Sequence, residues 1–116
     1  MDLFLGKRRI IKQIKIADNF LIRLIGLLKN KNSKNSNLYI PSCKSIHTFF
    51  MKFSIDVIMT DSKGKIVFLK ENVKPFQIIS CPKAKDTIEL EIGSIKKFKI
   101  KKGDMIKLKE VINAKR

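Results

Sequence analysis

The chain has 116 residues, 26 of them Lys or Arg and 10 Asp or Glu, for a net charge of +16. That length fits one domain, and the 44% apolar content supports a folded core rather than disorder. No apolar run reaches the roughly 18–20 residues of a spanning helix, so no transmembrane segment is expected.

At the N-terminus, Met1 to Leu5 is short and its charges follow it, the reverse of a secretory signal, which makes a cytoplasmic location the expectation. Ile10 to Ile16 has the β-branched content of a strand. Ala17-Asp18-Asn19 offers N-cap chemistry, and Phe20, Leu21, Leu24, Ile25 and Leu28 recur at helical spacing, which predicts a short helix over 19–28. Residues 29–37 are polar and low in complexity, the pattern of a loop. Leu38 to Ile40 and Ile46 to Phe50 are short apolar segments. Ile55 to Thr60 and Lys65 to Lys70 flank Asp61-Ser62-Lys63-Gly64, which predicts a hairpin. Phe76 to Ser80 reads as an edge strand closed by Cys81-Pro82. Thr87 to Ile92 alternates Ile88, Leu90 and Ile92 against Thr87, Glu89 and Glu91. Ser94 to Phe98 fits one helical turn, and Met105 to Val111 a last strand after Lys102-Gly103-Asp104. The sum is a mainly β single domain, a small barrel or jelly-roll-like sandwich with one short N-terminal helix. Its core spans about 10–110 and its termini fray.

The chemistry concentrates in Ser42 to Val57, which holds the single histidine, one of two cysteines and an aspartate inside an apolar run. A carboxylate at Asp56, between Ile55 and Val57, needs donors to offset several kcal/mol of desolvation. The expected donors are the amides of the Lys52-Phe53-Ser54 turn, the Ser54 hydroxyl, His47 or a lysine. The bland alternative is an aspartate that pins a loop through backbone amides. Glu89 raises the same question, although its alternation with Ile88 and Leu90 also allows it to face solvent beside Glu91. His47, Thr48, Met51, Asp56 and Glu89 are therefore the candidate ligand-binding residues, and His47, Asp56 and Glu89 the candidates for acid/base work. Cys43, His47 and Cys81 lack metal-ligand spacing, so neither a metal nor a cofactor is expected, and the thiols are read as reduced. Phe49, Phe50, Phe53 and Met51 read as core or pocket wall rather than a stacking platform. The charge is carried almost wholly by lysine, with only Arg8, Arg9, Arg23 and Arg116 as arginines. It reads mostly as solvated surface, with weak contact to nucleic acid or an anionic surface at low salt.

The succession Gly26-Leu27-Leu28, Ile46-His47-Thr48-Phe49-Phe50-Met51-Lys52-Phe53-Ser54-Ile55-Asp56-Val57, Ile88 to Gly93 and Gly103-Asp104 resembles the family called domain of unknown function 192. The His-Thr-Phe-x-Met run resembles one branch of it. The resemblance covers roughly 10–110. It implies a mostly β single domain and recurrent polar positions at His47, Thr48, Asp56, Glu89 and Asp104, without implying an activity. Leu28, Asn30, Phe50 and Ser54 stand where that pattern usually has methionine, arginine, tryptophan and proline, while Arg23 matches it. The expected function is a non-catalytic binding or accessory module for a small molecule or protein, with a cleft near His47, Asp56 and Glu89. The alternatives are a hydrolytic or acid/base enzyme on a small molecule and a weak polyanion binder.

Overall fold

The computed structural model describes residues 1–17, 34, 36–49 and 51–111. The helix expected over 19–28 lies outside these residues. The strands are β1 (Asp2–Leu5), β2 (Arg8–Ile11), β3 (Lys15–Ile16), β4 (Leu38–Ile40), β5 (Ser45–His47), β6 (Ile55–Thr60), β7 (Ile66–Val73), β8 (Ile78–Ser80), β9 (Asp86–Glu91) and β10 (Ile106–Lys109). A single helical turn, α1 (Ser94–Lys97), follows β9. The arrangement is mainly β, as expected, but it is a layered sandwich and no barrel closes among the described residues.

A five-stranded sheet of order β3-β4-β9-β6-β7 forms the middle layer. Its two faces are covered by different sheets. Leu3 and Leu5 of β1, Ile10 of β2 and Ile106 of β10 pack against Ile58, Ile88 and Leu90 on one face. Ile46 of β5 and Ile79 of β8 pack against Ile55, Val57 and Met59 on the other. The alternation along β6 thus divides its apolar side chains between two cores, and all six of its residues are buried. The covering layers are a three-stranded sheet, β10-β1-β2, and a two-stranded ribbon, β5-β8.

Three expectations are corrected. The predicted strand over Ile10 to Ile16 is divided between β2 and β3, because Gln13 takes a left-handed φ of 48° and donates its N–H to Asp2 Oδ1 at 2.8 Å. Ile16 is consequently exposed, whereas Ile10 and Ile14 of the same predicted strand are buried. The core also begins earlier than residue 10. Asp2–Leu5 is the central strand of its sheet, paired with both β2 and β10, and Leu3 is fully buried.

The β6–β7 hairpin is held as its turn chemistry requires. Asp61 Oδ1 accepts the amides of Lys63 (2.9 Å) and Lys65 (3.0 Å). Gly64 has φ 86°, and a Cβ there would lie 2.4 Å from the Ile106 carbonyl oxygen. The Gly64 carbonyl also accepts the Ile106 N–H of β10 at 2.7 Å, while its own N–H donates to the Asp61 carbonyl at 3.0 Å. Gly6 has a similar φ of 61°, with nothing within 4 Å of its missing Cβ. Gly64→Ala should therefore destabilise the fold by at least about 2 kcal/mol and Gly6→Ala by about 1, read as the difference in urea midpoints.

Two turn-binding carboxylates, Asp2 and Asp61, add a pH dependence. The Gln13 amide and the Arg9 guanidinium hold Asp2 below the usual carboxylate range, and the Lys65 and Lys63 amides do the same for Asp61. Lowered folded values mean that the stabilisation is complete above the unfolded pKa of about 3.9 and is lost as pH falls through the folded values. Wild type should lose more stability than Asp61→Asn between about pH 5 and pH 2 in acid unfolding curves.

Candidate functional site

Asp56 and Glu89 sit in the middle sheet but do not meet. In the β6–β9 ladder Asp56 is opposite Leu90, and Val57 is opposite Glu89. Directly paired residues share a face and neighbours along a strand do not. Asp56 therefore belongs to the layer of Ile58 and Leu90, and Glu89 to the layer of Val57 and Met59. Each is 1% exposed, so neither faces an open cavity. The expected cleft shared by these acids is not formed. Glu89 is not a solvent-facing neighbour of Glu91 either: it is buried on the sheet face that it shares with Val57 and Met59.

The Asp56 carboxylate is occupied by backbone. Ile55 pairs with Val73 and Val57 with Lys70, so Glu71 and Asn72 together oppose Asp56. This is a β-bulge, with Asn72 at φ 53°. The Asn72 amide, which the ladder leaves over, donates to Asp56 Oδ1 at 3.0 Å. Asp56 Oδ2 accepts the amide of Ile95 at 2.9 Å, one of the N–H groups that open α1. Gly93, before that turn, supplies no side-chain cap. One carboxylate thus fixes the bulge and the helical turn together. The donors are these two distant amides, not the Lys52-Phe53-Ser54 turn or His47.

Thr48 plays the corresponding part on the other side. It is fully buried, and its hydroxyl donates to the Lys74 carbonyl (2.7 Å) and accepts the Gln77 amide (2.9 Å). Its N–H donates to the Gln77 carbonyl at 2.9 Å, and its carbonyl accepts the Phe76 N–H at 3.2 Å. Met51 lies in the core beneath, within the same apolar cluster as Val57 and Ile79. Thr48 and Met51 are therefore struts, and of the five expected ligand-binding residues only His47 reaches the surface. Asp104, also singled out, caps its own turn by accepting the Lys101 amide at 2.9 Å.

What Thr48 holds in place is an aromatic surface. Phe76 has φ 65°, a left-handed conformation that is a true outlier for a bulky side chain and costs about 1–3 kcal/mol. Its side chain is 78% exposed, that of Ile78 68% and that of Phe49 42%. The rings of His47 and Phe49 are 4.9 Å apart between centroids, and those of Phe49 and Phe76 6.5 Å. His47 and Ile78 are directly paired across the β5–β8 ribbon, on the face opposite the buried Ile46–Ile79 pair. Four residues thus make one outward surface, and Lys52 and Lys74, both exposed, lie on the two loops that supply its phenylalanines.

Phe49 is therefore a correction to the expectation of core or pocket wall, whereas Met51 meets it and Phe53 packs half-buried on the core. The part played by Phe76 and Ile78 was not visible in the sequence, since nothing local marks a phenylalanine for a left-handed backbone. The hollows elsewhere use other residues. One of about 430 Å³ is lined by Leu5, Arg8, Lys99, Lys101 and Met105, and another of about 320 Å³ by Ile10, Asn37, Ser94 and Phe98. No cluster of metal-ligating side chains occurs among the described residues.

A UPF0127 protein of Thermococcus kodakarensis is 34% identical over 100 residues, covering 81% of this chain and 63% of that protein. A UPF0127 protein of Pyrococcus horikoshii is 36% identical over 100 residues, covering 82% and 86%. The match thus spans less than two thirds of the Thermococcus relative's length. Among solved structures, a protein of unknown function from Novosphingobium aromaticivorans superposes with TM-score 0.73 at 13% identity, over 92% of this chain and 82% of that one. A candidate transcription regulator from Sinorhizobium meliloti superposes with TM-score 0.75 at 18% identity, over 91% and 89%. At such identities the likeness is one of fold. The model of domain of unknown function 192, described as an uncharacterised ACR, matches residues 5–108. This mainly β chain belongs to that family of uncharacterised proteins.

Proposed function

We propose that the chain is a non-catalytic binding module that takes single-stranded nucleic acid on its aromatic surface rather than a small molecule in a cleft. The observation that carries this reading is Phe76, held by Thr48 in a strained backbone conformation with its ring in water. A buried residue is kept in strain by its packing, but an exposed one gains nothing in the free protein. The exposed Phe49 and Phe76 rings, adjoining His47 and set beside lysines, match a ligand that is both a stack of rings and a polyanion. The +16 charge is distributed over most of the chain. That favours a flexible polymer which follows the surface over a flat membrane that meets one side. The fold shared with a candidate transcription regulator is compatible with this reading.

The geometry does not favour the enzyme reading. A carboxylate that acts as acid or base must reach a substrate proton. Asp56 is enclosed and already accepts two amides, and Glu89 is enclosed on the other face.

A fluorescein-labelled oligothymidylate of about twelve nucleotides, at about 50 mM salt, provides the test. Fluorescence anisotropy should report binding that Phe76→Ala or Phe49→Ala weakens roughly 5- to 100-fold, in line with one lost stacking contact. A duplex of the same length should bind more weakly, and Lys74→Gln should mainly flatten the salt dependence. Equal affinity of wild type and Phe76→Ala would leave only charge and defeat the reading. So would preference for anionic vesicles over the strand. Asp56→Asn, which replaces one acceptor oxygen by an amide, should lower stability by about 1–3 kcal/mol in urea unfolding. At temperatures where it is folded it should bind the strand like wild type.

A further inference from the structure

We infer that Cys43 and Cys81 are a redox pair, able to close to an intramolecular disulfide by exchange with a small-molecule disulfide such as oxidised glutathione. The inference does not depend on the nucleic-acid reading. It comes from the register of the β5–β8 ribbon. Ser45 is opposite Ser80, so Lys44 and Cys81 are the next positions outward, and the Cys81 amide donates to the Lys44 carbonyl at 2.9 Å. Cys43 is thus one step off the residue directly across from Cys81. Direct partners in an antiparallel ladder are about 4.5–5.5 Å apart at Cα, and one diagonal step brings this to about 6 Å, inside the range that a disulfide spans.

Side-chain direction agrees with the spacing. Cys81 has the parity of Ile79, which packs inward, and both Cys43 and Cys81 pack against the same apolar cluster. Cys43 has the outward parity of Ser45 and His47, but it lies before the start of β5, where the ladder no longer sets side-chain direction, and its amide is anchored to the Lys85 carbonyl at 2.7 Å. Both cysteines are half-exposed, so a small disulfide can reach them. The Cys43 thiol gives up only a weak hydrogen bond to the Ser45 carbonyl, at 3.3 Å.

The chemistry balances. One thiolate attacks a sulfur of oxidised glutathione, forms a mixed disulfide and releases one glutathione thiolate. The second cysteine thiolate attacks the protein sulfur of that mixed disulfide and releases the other glutathione. Two protein thiols have then lost two protons and two electrons, and one glutathione disulfide has been reduced to two thiols. The bond would fasten the ribbon at the end away from Phe49 and Phe76.

The test is to equilibrate the folded protein in glutathione redox buffers, quench with maleimide and measure intact mass. The inference expects a monomer that has lost about 2 Da and takes up no maleimide, with a raised melting temperature. Cys43→Ser and Cys81→Ser should each stop at a single glutathione adduct. The effective concentration of the pair should be at least about tenfold higher in the folded protein than in urea, because the ladder presets the approach. Persistent labelling of both thiols in wild type, an intermolecular disulfide, or equal effective concentrations in the two states would overturn it.

Discussion

The structure depends on one constraint: β6 and β9 are covered on both faces. A strand with one wet face can place its polar residues in water. Here alternation only chooses which core a side chain enters, and so Asp56, Thr60, Thr87 and Glu89 are all buried. Each buried polar group must find partners or be destabilising. Asp56 meets this requirement by joining the Asn72 bulge to the first turn of α1. Thr87 does so through the Cys43 carbonyl, which its hydroxyl reaches at 2.8 Å. The reactive-looking groups of this sequence are thereby engaged in holding layers together.

The same logic connects Thr48 to Phe76. Thr48 follows β5 inside the protein, and four of its hydrogen bonds lead to the 74–77 segment or back from it. These bonds supply the free energy that keeps Phe76 in the left-handed region. Pro75 contributes by restricting the backbone just before it, an order of residues that a type II turn uses with glycine in the place of Phe76. A glycine would have met the turn without strain. The phenylalanine keeps the turn and adds a ring in water, and that trade is what marks the surface.

The sequence made the β framework legible wherever the determining chemistry is local. The Asp61–Gly64 turn declares itself through a side chain that caps its own loop and a glycine at positive φ. The alternation of β6 and β9 likewise survives in the structure as a division between two cores. Reading failed where the decisive partner is remote. Glu89 alternates like a solvent-facing residue, yet it is buried on the sheet face that it shares with Val57 and Met59. Asp56 is recognisable as a carboxylate needing donors, but its donors come from residues 72 and 95. Asp2–Leu5 is four residues long beside a run of charge, and it becomes a central strand only because Ile106–Lys109 returns to pair with it. Solved structures 13% and 18% identical keep this fold, which fits a scaffold set by pattern and burial more than by particular side chains.

An exposed edge bearing phenylalanine and isoleucine is normally a hazard, since β8 is paired on one side only within its ribbon and a second copy offers the same edge. The surrounding charge limits that hazard. Two chains of charge +16 repel, and Lys74 and Lys52 stand on the loops that carry the rings. Repulsion between copies and attraction for a polyanion are the same field acting on partners of opposite sign. The charge therefore does more than coat a β domain. In the proposed reading it lets the aromatic surface stay open among copies of this chain while favouring a ligand that carries phosphates. Salt screens both effects, so conditions that weaken capture of such a ligand also remove the barrier to self-association.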